Sequence, residues 1–574
     1  MTIDTSSPAP AVELAAPGRT GVRIVVDHLT RRVRSSRGEE VTLLDDVSFT
    51  VSPGELVAIV GPSGAGKTTL LETIAGLVAA TQGAVRFDGV DVHGNAEAFR
   101  SVLGYVPQDD IIHADLPLGR TLRYAARLRL PSSTTAADVD AAAADALAAV
   151  GLIHQADVRV GALSGGQRKR ASIAVELLTD PHVFFLDEPT SGLDPLTSAE
   201  LLIRLRQLAD RSATVVFTTH SVDDLAICDR IVFTTRGGRV GFIGTVEEAL
   251  GWFEVGSIPA LYALLADPDR IVDAARERTA APPSASADRP SGDVAVRPVA
   301  GPLTQWAVLT RRTLEILVRN RLTLVILLGS PALVVAMFAV LFRPGAFDAD
   351  DPTPSSMVMI GFWVVFAAFF FGLTYGLLQI VTEQSILRRE RFVGLRPGAY
   401  LASKVTILGP FLLVVVAAML AVLRLFDRLP ARPLGTYASI GTGLVLCAIA
   451  ALALGLLTSA IVSTAAQATL ALPILCFPAV LFSGAILPVH LMASAGAGLS
   501  LAIPSRWAFE AIGHDLGARR ILSGGGSPLG RPLLDSYGDA GTLSTGTYWL
   551  VLSLFAITFL GATWIVLRRP RPSR

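Results

Sequence analysis

The sequence of 574 residues is poor in charge and in cysteine, and it has only three lysines: Lys67, Lys169 and Lys404. Charged residues make up 17% of the chain, against about 25% in soluble domains, and hydrophobic residues make up 51%. This composition excludes a disordered protein and an ordinary water-soluble enzyme. Basic and acidic residues both number 49, so no net positive charge favours a nucleic-acid partner.

Three cysteines, Cys228, Cys447 and Cys476, offer no disulfide framework, which indicates a reducing compartment. The first residues have neither a basic segment nor an apolar core, so they do not form a signal peptide. We expect residues 1–20 to be a disordered tail.

The apolar residues are concentrated in the second half of the chain. Residues 21–267 are typical of a soluble domain, and the Pro/Ser/Ala-rich residues 268–301 are typical of a flexible linker. Residues 302–320 interleave leucines with arginines and predict an amphipathic connecting helix on the membrane surface. Residues 321–574 form the predicted membrane domain.

Six uncharged apolar runs in this half are about as long as a membrane span requires. They are 322–342, 357–380, 405–423, 437–462, 468–489 and 547–567. Residues 491–504 are too short to span and predict a re-entrant or interfacial segment. Arginines cluster before the first span, between the second and third, and after the sixth, which places both termini and the soluble domain in the cytoplasm. Arg424, Arg428 and Arg432 disagree, because this scheme places them outside.

The soluble half alternates short apolar runs with helical segments. Glu55–Val60, Val183–Leu186 and Thr214–Thr218 predict buried strands, and residues 132–150 predict a helix. This alternation indicates an α/β fold with a largely parallel sheet. We therefore predict an α/β domain followed by an all-α membrane domain of six helices.

A glycine-rich loop follows the first of these strands. Residues 61–68, GPSGAGKT, match the P-loop pattern between a strand and a helix. The loop amides and the helix N-terminus bind phosphate, lysine reaches the β- and γ-phosphates, and the threonine hydroxyl holds Mg²⁺. The candidate nucleotide ligands here are Gly61, Ser63, Gly64, Gly66, Lys67, Thr68 and Thr69.

Two carboxylates end the strand Val183–Leu186. Asp187 is the candidate second ligand of Mg²⁺, and Glu188 is the candidate base that polarises the attacking water. Alone, this pattern also fits a strand capped by surface acids. The P-loop upstream favours the catalytic interpretation.

A second glycine turn, Ser164-Gly165-Gly166-Gln167, precedes a helix and can also bind an anion. This turn resembles the signature sequence of ATP-binding-cassette (ABC) proteins, and P-loop, signature and acidic strand follow in that family's order. The resemblance implies P-loop NTPase chemistry with ATP and Mg²⁺. It also implies that the signature of one subunit closes over the nucleotide held by another.

Other segments match the family by position. Gln108 in YVPQ resembles the Q-loop residue, which contacts Mg²⁺ and faces the membrane domain. Asp194 in SGLD resembles the D-loop, and His220 after the strand Thr214–Thr218 resembles the switch histidine near the γ-phosphate. The family's adenine-stacking aromatic is missing from residues 29–34, where an arginine could stack instead.

The membrane half resembles the G subfamily (ABCG, or white-like half-transporters). The nucleotide domain comes first, and residues 390–404, 481–488 and 503–512 resemble that subfamily's cytoplasmic coupling loop, the end of its fifth span and its external segment. The resemblance implies a homodimer or a dimer with a related half-transporter, in the inner (plasma) membrane. Its cargo would be a lipid, glycolipid or drug, bound between spans two and five. The candidate cavity aromatics are Phe362, Phe366, Phe369, Phe370, Tyr375, Phe477 and Phe482.

The leading hypothesis is an ATP-driven exporter of a small hydrophobic or amphipathic substrate. An importer and an ATP-gated regulatory membrane protein without transport are the alternatives. Glu188 and His220 are both present, and their loss would have favoured the regulatory alternative. A soluble ABC ATPase of DNA repair or translation is disfavoured by the six apolar runs.

Overall fold

The computed structural model describes residues 21–34, 38–95, 99, 102–109, 112–266, 300–348, 352–524 and 527–569. The chain divides into two compact units, which are Met1–Gln305 with Arg389–Leu395, and Trp306–Arg388 with Arg396–Arg574. The predicted tail and nearly all of the predicted linker lie outside the described residues. The domain limits drawn from the sequence stay predictions.

The first unit contains ten strands and seven helices among its described residues. The strands are β1 (Ile24–Arg34), β2 (Glu40–Val51), β3 (Leu56–Val60), β4 (Gln82–Phe87), β5 (Val90–Asp91), β6 (Leu103–Val106), β7 (Val183–Leu186), β8 (Thr214–Thr218), β9 (Arg230–Thr234) and β10 (Val240–Gly244). The helices are α1 (Lys67–Ile74), α2 (Leu118–Arg129), α3 (Ala136–Ala149), α4 (Gly165–Leu177), α5 (Pro195–Asp210), α6 (Val246–Phe253) and α7 (Ile258–Leu265). The predicted α/β fold is confirmed.

The central sheet has six strands in the order β10–β9–β3–β8–β7–β6, and all but β10 run parallel. Alternate residues of its strands enter opposite cores. Leu56, Ala58 and Val60 of β3 join one apolar cluster, while Val57 and Ile59 join the other. A strand buried on both faces needs a continuous apolar run, which is why β3, β7 and β8 could be recognised in the sequence. A second, antiparallel sheet has the order β2–β1–β4–β5.

The parallel registers bring the functional loops to one edge of the central sheet. Val106 pairs with Leu186, and Leu186 pairs with Phe217, so β6, β7 and β8 end side by side. Ile59 of β3 pairs with Thr218, the last residue of β8. Ligands of open α/β sheets bind at this carboxyl edge.

The second unit is helical. Its elements are α8 (Pro302–Arg319), α9 (Arg321–Leu341), α10 (Pro354–Leu377), α11 (Gln384–Phe392), α12 (Pro397–Leu425), α13 (Leu434–Ile461), α14 (Ala465–Leu481), α15 (Ser494–Ser500), α16 (Pro504–Asp515), α17 (Ala518–Ser523), α18 (Gly530–Tyr537) and α19 (Thr545–Arg568). The predicted all-α membrane domain is confirmed. The last residues of α11 belong to the first unit.

Five segments of the described chain are long and apolar enough to cross a membrane, and α14 is a shorter apolar helix. The fifth predicted span, 468–489, is instead the 17-residue helix Ala465–Leu481. Pro473 and Pro478 weaken the helix from within, and Gly484 turns the chain with a φ of 78°. Apolar character therefore continues beyond the point where the helix ends.

Glycines allow α10 and α13 to pack with their backbones in close approach. A Cβ on Gly372 would lie 2.1 Å from the carbonyl oxygen of Ala448, and one on Gly455 would lie 2.4 Å from that of Leu373. Such close contact between helices is typical of small residues at membrane interfaces. The pair forms the best-buried part of the helical unit.

Candidate functional site

The P-loop lies between β3 and α1, and its glycines adopt conformations that other residues disfavour. Gly64 and Gly66 have φ values near 79° and 78°, and a Cβ on Gly66 would lie 2.7 Å from the carbonyl oxygen of Leu43. Gly61 sits at the start of the loop, where a Cβ would lie 2.3 Å from Oγ1 of Thr234. The left-handed conformations and the close approach of neighbouring atoms explain why the loop has glycine at these positions.

The amino group of Lys67 folds back over this loop. Nζ donates hydrogen bonds to the carbonyl oxygens of Gly61 and Pro62 at 3.0 and 3.2 Å. Burial lowers the pKa of Lys67, while the carboxylates of Glu188 and Asp187 act in the opposite direction. Ser63 is exposed on the loop and Thr69 lies half-buried in α1.

Asp187 meets the P-loop threonine at the carboxyl end of β7. Its Oδ1 accepts hydrogen bonds from the hydroxyls of Thr68 at 3.1 Å and Thr218 at 2.6 Å. Burial raises the pKa of Asp187, and the two hydroxyl donors oppose this. A buried carboxylate beside a threonine hydroxyl supplies the oxygen ligands that Mg²⁺ prefers, so these residues fit the ion.

Glu188 is held in a strained backbone conformation, with a φ of 44°. Its N–H donates to Oγ1 of Thr218 at 2.8 Å. Its Oε2 accepts from Nε2 of Gln108 at 3.2 Å and lies 3.5 Å from Nδ1 of His220. The structure thus gathers the predicted catalytic pair, and it places the Gln108 amide on Glu188.

The signature turn caps α4 by a reciprocal pair of hydrogen bonds. Oγ of Ser164 accepts from the N–H of Gln167 at 3.2 Å, and Oε1 of Gln167 accepts from the N–H of Ser164 at 3.0 Å. Ser164 and Gly165 are exposed, and nothing lies within 4 Å of a Cβ built on Gly165. A Cβ on Gly166 would lie 3.0 Å from Cγ2 of Thr197. The N-terminus of α4 is therefore exposed, and the N–H groups of Ser164 and Gln167 are hydrogen-bonded within the turn.

Asp194 has a comparable capping role at the start of α5. Its carboxylate accepts from the N–H and the hydroxyl of Thr197 at 3.0 and 2.6 Å. These hydrogen bonds lower the pKa of Asp194. The geometry fixes the loop that precedes the helix.

Three residues that the sequence analysis missed organise this site. Thr218 contacts both acidic residues through one hydroxyl. Lys169 of α4 is buried and donates from Nζ to the carbonyl oxygens of Gln108 at 2.7 Å and Pro107 at 3.3 Å. The scarcity of lysine was the signal that could have identified Lys169.

The third missed residue is Asp224, which is 2% exposed. Its Oδ2 accepts hydrogen bonds of 2.6 Å from Thr190 and from Thr219. Thr190 precedes the Asp194 loop, and Thr219 precedes His220. One buried carboxylate therefore joins the two loops.

A buried ionic cluster lies at the other end of α4. The carboxylate of Glu176 accepts from both terminal nitrogens of Arg129 at 2.7 and 2.8 Å and from Nε of Arg389 at 2.7 Å. Arg389 also donates to the carbonyl oxygen of Ser172 at 2.7 Å. Burial alone would raise the pKa of Glu176, but the two guanidinium groups lower it to about 2. This cluster ties the segment Arg389–Leu395 to the signature helix.

The adenine side of the site has no stacking ring in residues 29–34. Arg31 lies in β1 and donates from Nη1 to the carbonyl oxygen of Ala79 at 2.6 Å. One terminal nitrogen of its guanidinium is therefore engaged by the segment between α1 and β4.

The candidate cargo aromatics of the helical unit differ in how far they are exposed. Phe362, Phe369 and Tyr375 are buried in helix packing, and Phe477 of α14 is 66% exposed. Five aromatics of α9 and α10 line a groove of about 640 Å³, which are Phe338, Trp363, Phe366, Phe370 and Phe371.

Comparisons with known proteins agree with the two-part architecture. Residues 44–191 match the family described as ABC transporter, and residues 304–513 match the family described as ABC-2 type transporter. The ABC transporter ATP-binding/permease protein Rv1747 of Mycobacterium tuberculosis is 34% identical over 504 residues, covering 84% of this chain and 57% of that protein.

Relatives in eukaryotes match a smaller share of the chain. ABC transporter G family member 22 of Arabidopsis thaliana is 35% identical over 249 residues, covering 42% of this chain and 32% of that protein. The broad substrate specificity transporter ABCG2 of Bos taurus is 36% identical over 227 residues, covering 37% of this chain and 33% of that protein. The chain thus spans about half or less of the length of the curated relatives it matches.

Among solved structures, the ATP-binding cassette MJ0796, in a dimeric post-hydrolysis state with ADP and Pi, matches with 25% identity and a TM-score of 0.37. The match covers 39% of this chain and 98% of that one. From the two family matches and these relatives, the chain belongs to the ABC transporters, with an ABC ATPase region followed by an ABC-2 type membrane region, and is similar to ABCG half-transporters.

Proposed function

We propose that this chain hydrolyses ATP at the carboxyl edge of the central sheet and uses the cycle to export a hydrophobic or amphipathic substrate. The observation that carries the proposal is the convergence of Thr68, Asp187, Glu188, Gln108 and His220 beside the P-loop. The same chain contains the helices that can cross a membrane.

In this proposal the P-loop amides and Lys67 bind the β- and γ-phosphates of ATP. Thr68 and Asp187 hold Mg²⁺, with Gln108 as a further oxygen ligand. The ion supplies charge neutralisation on the transferring phosphoryl group. Glu188 orients the attacking water and takes its proton, because Gln108 holds its carboxylate and Thr218 holds its backbone N–H at the edge of the sheet. His220 lies beside it to contact the γ-phosphate.

The proposed active unit is a dimer, most simply of two copies of this chain. Within one chain, Ser164 bonds to Gln167 and Lys67 bonds to its own loop. The outward-facing signature turn therefore suits the nucleotide of a partner, which closes two composite sites.

Helix α4 is the element proposed to transmit movement from the nucleotide site to the membrane helices. Its N-terminus presents Ser164, its middle holds the Gln108 loop through Lys169, and its end holds Arg389 through Glu176. Arg389 lies in the chain between two apolar helices, α10 and α12. Rotation of α4 on ATP binding would thus pull on the segment that joins them.

The proposed cargo is uncharged in its membrane-buried part. The groove between α9 and α10 is lined by carbon side chains, with Phe366 and Phe370 on one wall. The arginine distribution favours the inner membrane with the ATPase unit in the cytoplasm. Phe477 and Phe482 of the fifth span stay predicted cargo contacts of the dimer.

Measurement of ATPase activity in lipid nanodiscs tests the proposal, with Glu188→Gln as background. Native lipid extract and a panel of cationic amphipathic drugs are added separately. Stimulation by the extract alone supports a lipid or glycolipid exporter, and stimulation by drugs supports a drug exporter. Turnover of the wild type no higher than that of Glu188→Gln would contradict the proposal and favour a regulatory protein.

A further inference from the structure

A second groove of about 560 Å³ lies between α12 and α13, away from the candidate cargo aromatics. Small side chains on both helices create it. Ala417 and Ala421 of α12 and Ala438 of α13 are exposed on its floor, and Gly441 has no side chain to fill it. Leucine and valine side chains form its walls.

The groove has one polar end. Arg424 and Tyr437 line it there, at the end of α12 and near the start of α13. The Tyr437 hydroxyl already donates to the carbonyl oxygen of Pro430 at 2.6 Å. The Arg424 side chain is 43% exposed, and its ion pair with Asp427 is 3.9 Å long, beyond hydrogen-bonding distance. Its planar fork of donors is therefore not committed to that carboxylate.

The length of the groove matches one leaflet of a bilayer. On α12 its lining runs from Leu413 to Arg424, which is about 16 Å at 1.5 Å per residue. Half of a hydrocarbon core of about 30 Å is about 15 Å. The headgroup end of an acyl chain that lies in the groove is therefore near the guanidinium of Arg424, at the level of the lipid phosphates.

The charge at this end has the sign opposite to that of a phosphate. Residues 424–433 contain three arginines, Arg424, Arg428 and Arg432, and one carboxylate, that of Asp427. Arg428 and Arg432 donate to the backbone carbonyls of Phe426 and Leu516, which fixes the loop. These are the three arginines that violate the charge rule used for orientation. An anionic ligand on the outer side explains their presence.

We propose that the groove between α12 and α13 binds an anionic phospholipid side-on, with its phosphate on Arg424 and one acyl chain along the alanine floor. Arginine recognises phosphate through two parallel hydrogen bonds, and the apolar groove excludes a free inorganic ion as the natural ligand. The inference rests on the proposed function only for the choice of the outer leaflet.

Native mass spectrometry of the full chain, released from detergent, tests this with palmitoyl-oleoyl phosphatidylglycerol and the phosphatidylcholine of the same chains. We expect the wild type to retain phosphatidylglycerol in preference. Arg424→Gln binds it about tenfold more weakly, the equivalent of one charge-assisted contact. Arg531→Gln, which changes an exposed arginine of α18 outside the groove, is the matched control and binds like the wild type.

A variant that fills the groove distinguishes binding of the acyl chain from binding of the phosphate to Arg424. Ala438→Leu keeps Arg424 and should weaken retention of both lipids, and excess inorganic phosphate should displace neither. Equal retention by the wild type and Arg424→Gln, no effect of Ala438→Leu, or displacement by phosphate would each overturn the proposal. Because the method counts bound lipid rather than turnover, this result is independent of the outcome of the ATPase experiment.

Discussion

The hydroxyl of Thr218 donates a hydrogen bond of 2.6 Å to Oδ1 of Asp187, and its own Oγ1 accepts a hydrogen bond of 2.8 Å from the N–H of Glu188. One buried hydroxyl therefore sets both the proposed metal ligand and the backbone of the proposed base. The strained φ of Glu188 is maintained by this contact and by the adjacent strand.

Thr218→Val should lower kcat by about 10- to 100-fold, because it removes a donor from a buried carboxylate and leaves the Glu188 N–H without that partner. The Mg²⁺ concentration for half-maximal activity should rise, while binding of a fluorescent ATP analogue changes little. Steady-state ATPase assays over a Mg²⁺ titration measure this. Thr218→Ser restores the hydroxyl and should recover most of the activity, and a wild-type kcat in the valine variant would contradict the role.

Asp224→Ala should destabilise the ATPase unit by about 1–3 kcal/mol, because two buried threonine hydroxyls lose their shared acceptor. Thermal unfolding followed by tryptophan fluorescence measures the change. Adding Thr190→Val and Thr219→Val to Asp224→Ala should recover part of the loss, since no hydroxyl is then left unpaired. A strictly additive triple variant would show that the three side chains do not act together.

Glu176→Gln should cost about 3–5 kcal/mol, because it leaves Arg129 and Arg389 buried without their counter-charge. The pKa of Glu176 is lowered to about 2 in the folded chain, so its stabilising contribution is complete above its ordinary value of 4.5. That contribution is lost as the pH falls from about 4.5 to about 2. Melting temperatures of the wild type and variant should therefore differ by a constant amount from pH 5 to 8 and converge in acid.

Chains carrying Lys67→Ala and chains carrying Ser164→Ala should complement each other partly when mixed. Each mixed dimer keeps one composite site with both an intact P-loop and an intact signature turn, whereas dimers of either variant keep none. ATPase activity of the mixture should exceed that of each variant alone. Normal hydrolysis by either variant on its own would rule out sites shared between two chains.

The strands and loops that carry the site could be predicted because their signals are local. A strand buried on both faces needs a continuous apolar run, and a phosphate loop needs glycine and lysine at fixed spacing, so β3, β7 and residues 61–68 were evident. Thr218 was not, because a threonine at the end of a strand is also an ordinary β-branched residue. Asp224 lies in a polar stretch, and only the fold shows that it is buried.

The membrane half was predictable in its composition and less so in its limits. Hydropathy alone does not show that α14, which contains Pro473 and Pro478, ends at Leu481 while the apolar run continues. The approach of Gly372 to Ala448 and the groove beside Arg424 depend on residues far apart in sequence, which no local pattern reveals.

The most direct test of the account compares ATP binding and hydrolysis by Glu188→Gln with those of the wild type. We expect the variant to bind ATP, to accumulate as a closed dimer and to lose turnover by about 10²- to 10⁴-fold, the contribution of a general base. Hydrolysis at the wild-type rate would contradict the assignment of Glu188 and, with it, the proposed cycle.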